Sequence, residues 1–136
     1  MFNVVNHILD LDDVCSFFEK ISINLKNNGV FIFDCYNSEA VYNDNPKKYK
    51  RTNSKYSIES TPAFNNETGF LKLRHKVTFG ANSIEYDLDH VIWSQKFIKK
   101  IIDKYFKSQY KVFSSDGKSN PTVDDYKIKF VIKKNA

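Results

Sequence analysis

The run Val30-Phe31-Ile32-Phe33, set between Gly29 and Asp34, constrains this chain more than any other stretch. Consecutive apolar residues leave neither face of a strand polar, the pattern of a strand covered on both sides in an α/β sheet. Upstream, Leu11, Val14, Phe18, Ile21 and Leu25 recur at helical steps, and Cys15 and Phe17 widen the stripe. That spacing predicts an amphipathic helix over 11–27. Asp10, Asp12 and Asp13 supply its cap and its acidic first turn. Gly29 suits the left-handed position just past the helix, because it has no Cβ to oppose a positive φ. Asp34-Cys35-Tyr36-Asn37 then falls at the carboxyl end of the strand, where open α/β sheets place their ligands.

Downstream the period changes. Ser38 to Tyr42 suits a short helical turn, and 43–54, with Pro46 and the basic run Lys47-Lys48-Tyr49-Lys50-Arg51, reads as a surface loop. Three alternating segments follow: 56–60, 70–79 and 83–93, the last with Ile84, Tyr86, Leu88 and His90 on one face. Asn65 to Gly69 and Gly80-Ala81-Asn82 are turn sequences between them, so the region predicts an antiparallel meander with one face covered. Ser94 caps a second helix over 95–106 with Phe97, Ile98, Ile101, Ile102 and Tyr105 inward. Strands at 110–113 and 126–132 flank a long loop containing Gly117 and Pro121.

The 136 residues suffice for one domain with one core, and 41% hydrophobic content, with twelve Phe and eight Tyr, excludes disorder. The net charge of +5 raises acidic ligands and nucleic acid as partners. The lysines are spread along the chain, however, and Tyr49 and Tyr56 alone make a poor stacking platform for bases. Cys15 and Cys35 lack CxxC spacing, no apolar run approaches the ~20 residues of a membrane span, and no secretory signal is visible. The expectation is a reduced, cytoplasmic protein. His7, His75 and His90 match no metal-ligand spacing, and no metal is expected.

Met1-Phe2-Asn3-Val4-Val5-Asn6-His7-Ile8-Leu9, the acidic helix start, Leu25-Lys26-Asn27-Asn28-Gly29 and the strand ending in Asp34 together resemble the C-terminal half of a class I S-adenosylmethionine-dependent methyltransferase. Phe31-Ile32-Phe33-Asp34-Cys35-Tyr36, Ala40-Val41, Asp87-Leu88-Asp89-His90 and Asp116-Gly117-Lys118 are similar to a bacterial small-molecule and sugar-pathway subgroup. The resemblance covers nearly the whole chain. It implies an α/β fold: a partial Rossmann-like methyltransferase sheet with an antiparallel β insertion over 55–93 and two main helices, all in one domain over 1–136. It also implies S-adenosylmethionine as cofactor and a small-molecule methyl acceptor as partner. The family's Gly-rich cofactor loop has no counterpart, since the four glycines include no G-x-G. The expectation is therefore that this chain alone is cofactor-deficient. A missing N-terminal half, a second copy in a homodimer, or the N-terminal residues would cover the edge of Val30–Phe33.

By resemblance His7 borders the methyl-transfer site, where a neutral imidazole can accept the acceptor's proton; the plainer alternative is a helix-entry histidine bonded to backbone. Met1, Phe2 and Asn3 would touch the cofactor, and Asn6 would bond cofactor, substrate or loop backbone. Asp34, Tyr36 and Asn37 would touch substrate, against a turn-capping alternative. His90 would join them by the acidic-x-His resemblance, or else be a satisfied core histidine. Lys47 to Arg51 would hold a phosphorylated or nucleotide-linked substrate, or simply solvate a loop. The rival to an enzyme is a non-catalytic assembly module derived from the same fold.

Overall fold

The computed structural model describes residues 3–135. In chain order these form α1 (Val4–His7), α2 (Leu11–Asn24), β1 (Val30–Tyr36), α3 (Ser38–Asn43), β2 (Tyr49–Thr52), β3 (Ser57–Asn65), β4 (Phe70–Phe79), β5 (Asn82–Val91), α4 (Gln95–Tyr105), β6 (Tyr110–Ser114) and β7 (Lys127–Lys133). They make two sheets. One has the order β1-β7-β6, and the other is the meander β2-β3-β4-β5. The α/β class and the antiparallel insertion are as the sequence implies.

The three-stranded sheet is packed on one face only. Phe31, Phe33 and Cys35 of β1 and Ile128, Phe130 and Ile132 of β7 meet Val14 and Phe18 of α2 and Ile98, Ile101 and Ile102 of α4. Phe18 is the hub, edge-on to Phe17, Phe31, Phe33 and Phe106. The expectation that β1 is covered on both sides is overturned, because Val30 is 52% and Ile32 49% exposed. Both helices lie on the phenylalanine side; on the other the meander meets β1 at Tyr36, and no described element covers Val30 or Ile32. β1 also ends the strand order, so its outer edge pairs with no strand, and Asn6 takes the Tyr36 amide at one end of it.

Capping follows the sequence at Asp10 and Ser94, and Asn37 adds a helix cap that the sequence reading did not name. Asp10 accepts from the amides of Asp12 and Asp13, Ser94 from that of Phe97, and Asn37 from that of Glu39. At the other end of α2 the structure differs. The helix ends at Asn24, so the left-handed residue is Asn28 (φ 62°), not Gly29. Gly29 is needed for room instead: a Cβ there would lie 2.7 Å from the Lys26 carbonyl oxygen. Lys134, from beyond β7, caps the helix by donating to the Ser22 and Leu25 carbonyls at 2.7 and 2.8 Å.

The meander differs from expectation in extent. The region expected to be loop contains the edge strand β2, and β3 runs past residue 60 through Pro62 to Asn65. Its outer face carries the cross-strand ion pairs Lys48–Glu59, Lys72–Asp89 and Arg74–Asp87. Its inner face meets β1 and α3 through a small second core of Val41, Leu71, Leu73 and Ile92, edged by Tyr36, Phe64 and Tyr126. Beyond the buried Ser60–His75 pair that face is bare. Ile84, Tyr86, Leu88 and His90 do share it, but only His90 is buried; the expectation of a covered face holds near the junction alone.

Candidate functional site at the junction of the two sheets

Three rings from three distant elements meet where the sheets join. His7, at the end of α1, lies 4.3 Å centroid to centroid from His90 of β5, and Tyr36, ending β1, meets His90 edge-on at 5.6 Å. His90 is 2% exposed, and His7 is open to solvent. Burial first, and the neighbouring His7 second, pull the His90 imidazole down to about 4, so that it is neutral at pH 7. Its Nδ1 is buried without a hydrogen-bond partner among the described residues. Such an orphan is expected where a ligand or water completes the site.

The backbone around these rings is pinned by side chains. The indole Nε1 of Trp93 donates to the carbonyls of Val5 and Ile8, on either side of His7. The buried Asn6 amide donates to the Val91 carbonyl and accepts from the Tyr36 amide. Of the alternatives for Asn6, bonding of backbone is the one observed.

The other sequence-derived candidates are distributed around this cluster. Asp34 lies on the face of β1 opposite the main core, between exposed Ile32 and part-buried Tyr36, and pairs in register with Lys129. Asn37 is buried, and its side chain is fully engaged: it caps α3, accepts from Gln95 at 2.6 Å and donates to the Thr122 carbonyl at 3.1 Å. Asn3 adopts a left-handed conformation (φ 50°) ahead of α1, and its buried Oδ1 has no partner among the described residues. Met1 and Phe2 lie outside the described residues.

A cleft of about 340 Å³ opens beside Tyr36. Leu71 and Leu73 line it together with Tyr49, Tyr126, Lys47, Arg51 and Lys127. The Lys127 ammonium sits 5.8 Å from the Tyr36 ring centroid and the Arg51 guanidinium 5.7 Å from that of Tyr49. Burial, then Tyr49, raises the Tyr36 hydroxyl above its ordinary pKa and keeps it a donor at neutral pH. Deeper along the inner face Ser60 and His75 share a 2.6 Å hydrogen bond, and His75 packs on Tyr86. Sequence reading placed Lys47 to Arg51 in a loop and did not bring Tyr126 or Lys127 to this place. The one available signal was the period-two spacing of Tyr49 and Arg51, which puts both on the inner face of β2.

The strand order β1-β7-β6, with β7 antiparallel to both neighbours and a meander inserted after β1, defines the class of fold. It is the fold of part of an S-adenosylmethionine-dependent methyltransferase. A structure of such an enzyme from Clostridium acetobutylicum superposes with a TM-score of 0.81 at 16% identity, over 98% of this chain and 56% of that one. The CcbJ methyltransferase of Streptomyces caelestis gives 0.80 at 11%, over 99% and 55%. A SAM-bound amino pentose methyltransferase of Micromonospora echinaspora gives 0.66 at 12%, over 99% and 56%. The chain thus spans little more than half the length of these proteins. No protein-family profile and no curated protein matches its sequence.

Proposed function

We propose that this chain carries the acceptor side of a methyltransferase, which moves a methyl group from S-adenosylmethionine to an oxygen or nitrogen of a small molecule when joined to a cofactor-binding half. The observation that carries this reading is the His7–His90–Tyr36 cluster beside an open cleft, at the carboxyl end of β1, in a fold shared with such enzymes. What supports a cofactor-deficient chain is the placement of its glycines: Gly69 and Gly80 are in hairpin turns, Gly117 is in a loop and Gly29 sits tightly under Leu25, away from any nucleoside cradle. Asn3 Oδ1 is the one orphaned acceptor on that side.

The bound cofactor supplies a methyl group already activated as a sulfonium, so the chain's task is alignment. His7, exposed beside the buried and neutral His90, is the group placed to take a proton from an acceptor amine or hydroxyl. His90 Nδ1 and the Tyr36 hydroxyl are placed to hydrogen-bond the acceptor. Lys47, Arg51 and Lys127 favour an acceptor with a negatively charged arm, and Tyr49 and Tyr126 give a flat group a surface.

The open edge of β1, with Val30 and Ile32 bare beside it, favours assembly there with the missing half or with a second copy, and it is the observation behind the rival reading of an assembly module. No described helix is long and apolar enough to cross a membrane; with both cysteines free, a reduced cytoplasmic setting fits best. Calorimetric titration with S-adenosylhomocysteine tests the division of labour. The chain alone should bind it weakly or not at all, and micromolar binding would overturn that. Co-expressed with a Gly-rich partner half, the complex should methylate an amine or hydroxyl acceptor, and His7→Gln should slow turnover about 10²–10⁴-fold. A complex that binds cofactor but methylates no member of a charged and neutral acceptor panel would refute the function.

A further inference from the structure

We infer that Asn6 is a positioning residue: its amide fixes the spacing of the His7 and His90 rings and so leaves a single exposed imidazole, His7, to take the acceptor's proton. The chemical purpose rests on the methyl-transfer reading above; the geometry does not. Asn6 has no exposed surface. Its Nδ2 donates to the Val91 carbonyl at 2.9 Å, 85 residues away, and its Oδ1 accepts from the Tyr36 amide at 2.9 Å, 30 residues away. One amide is therefore bonded at, or one residue from, each member of the ring cluster. Asn6 precedes His7, Val91 follows His90, and Tyr36 is itself a member.

Ring attraction alone does not fix this spacing, since a tilted contact between two rings is only weakly attractive. A clamp to backbone does. Trp93 fixes α1 through the Val5 and Ile8 carbonyls but makes no bond to β1, so it leaves the position of His7 relative to Tyr36 open. Asn6 is the side chain that joins α1, β1 and β5 at once. With the rings held together, a second proton is excluded. The groups facing His90 are His7 from α1, Tyr36 from β1, His75 from β4 and Asp89 on its own strand. Burial and the two imidazoles oppose a proton on it, and a hydrogen bond to the Leu71 backbone, then Asp89, favours one.

The test is NMR of the 136-residue chain, in the wild type and in Asn6→Asp. The carboxylate keeps an oxygen for the Tyr36 amide but loses the donor and sets a charge against the Val91 carbonyl. The wild type should show cross-relaxation between the two rings, with His90 silent between pH 5 and 7. In Asn6→Asp that cross-relaxation should disappear and His90 should begin to titrate in the same range. A folded Asn6→Asp chain with both signals unchanged overturns the inference. If the variant does not fold, the wild-type side-chain amide decides: Asn6 Nδ2 protons should exchange roughly a hundredfold slower than those of exposed Asn27 and Asn66. Equal rates overturn it. In an assembled enzyme, failure of methyl transfer with the ring signals intact would sink the functional reading and leave the clamp standing.

Discussion

Ile32 and Phe33 are neighbours on β1 that face opposite ways, and together they test which side of the sheet is covered in solution. Phe33 is 1% exposed, stacked on Phe130 at 5.1 Å and met edge-on by Phe18 at 5.3 Å. Its replacement by alanine should cost about 3–5 kcal/mol, a large share of the roughly 5–15 kcal/mol that holds such a domain together. Ile32 is 49% exposed. Full burial of an isoleucine is worth about 1.5–3 kcal/mol, so half burial leaves roughly 1 kcal/mol to lose in Ile32→Thr, which keeps the β-branch that strands favour. Urea denaturation reads both through the midpoint, with the slope unchanged. The chain alone should show a cost for Phe33→Ala at least about three times that for Ile32→Thr. A loss of about 3 kcal/mol or more for Ile32→Thr would refute the one-sided packing. If the midpoint then rose with protein concentration, a second copy would be the cover.

Three further outcomes follow from the same coordinates. Burial, with Asp34 second, pushes the Cys35 thiol up to about 12, so a thiol reagent at pH 8 should label half-buried Cys15 and spare Cys35 until the chain unfolds; equal labelling of the native chain would contradict the core assignment. Lys134→Met removes two charged hydrogen bonds from the C-terminus of α2 and should cost about 1–3 kcal/mol by thermal or urea unfolding, with an unchanged midpoint counting against the cap. His90 has its folded pKa lowered from 6.5 to about 4, by burial first and by His7 and His75, against the opposing Leu71 backbone bond and Asp89 and beside Tyr36. The unfolded chain binds the extra proton over that interval, so stability should be full above pH 6.5 and fall towards pH 4; His90→Gln should flatten this segment, and a curve of unchanged slope would refute it.

The parts of this fold legible in the sequence are those fixed by local chemistry. Asp10 and Ser94 cap where their side chains reach the next amides, and the helical steps of Phe18, Ile98 and Ile102 point those residues into the core. What local chemistry cannot settle was missed. β2 is an edge strand whose residues are all exposed, and the short alternation of Tyr49 and Arg51 becomes a strand because β3 offers a ladder. Val30 and Ile32 look like core residues because the sequence reports apolarity but not whether anything is packed against it. His7, Tyr36 and His90 were each legible as candidates. Their meeting was not, because it depends on Asn6 and Trp93 bonds spanning 30 to 88 residues.

The placement of the site explains why so much polar bonding is spent at one junction. The two sheets are joined by a small core of Val41, Leu71, Leu73 and Ile92, and the outer-face ion pairs of the meander are exposed and worth little, about 0–1 kcal/mol each. A joint held by so few apolar contacts would let the meander rock against β1, and His90 would move with it. The proposed methyl transfer would depend chiefly on alignment, so rocking on this scale would slow it. Asn6, Trp93 and Asn37 cross that joint or brace its near side with bonds to backbone, and Tyr126 reaches the Asp44 carbonyl across the mouth of the cleft. Buried side-chain-to-backbone bonds are directional where apolar contacts are not, and this is the property a hinge-like junction needs if His7, Tyr36 and the cleft are to keep one geometry.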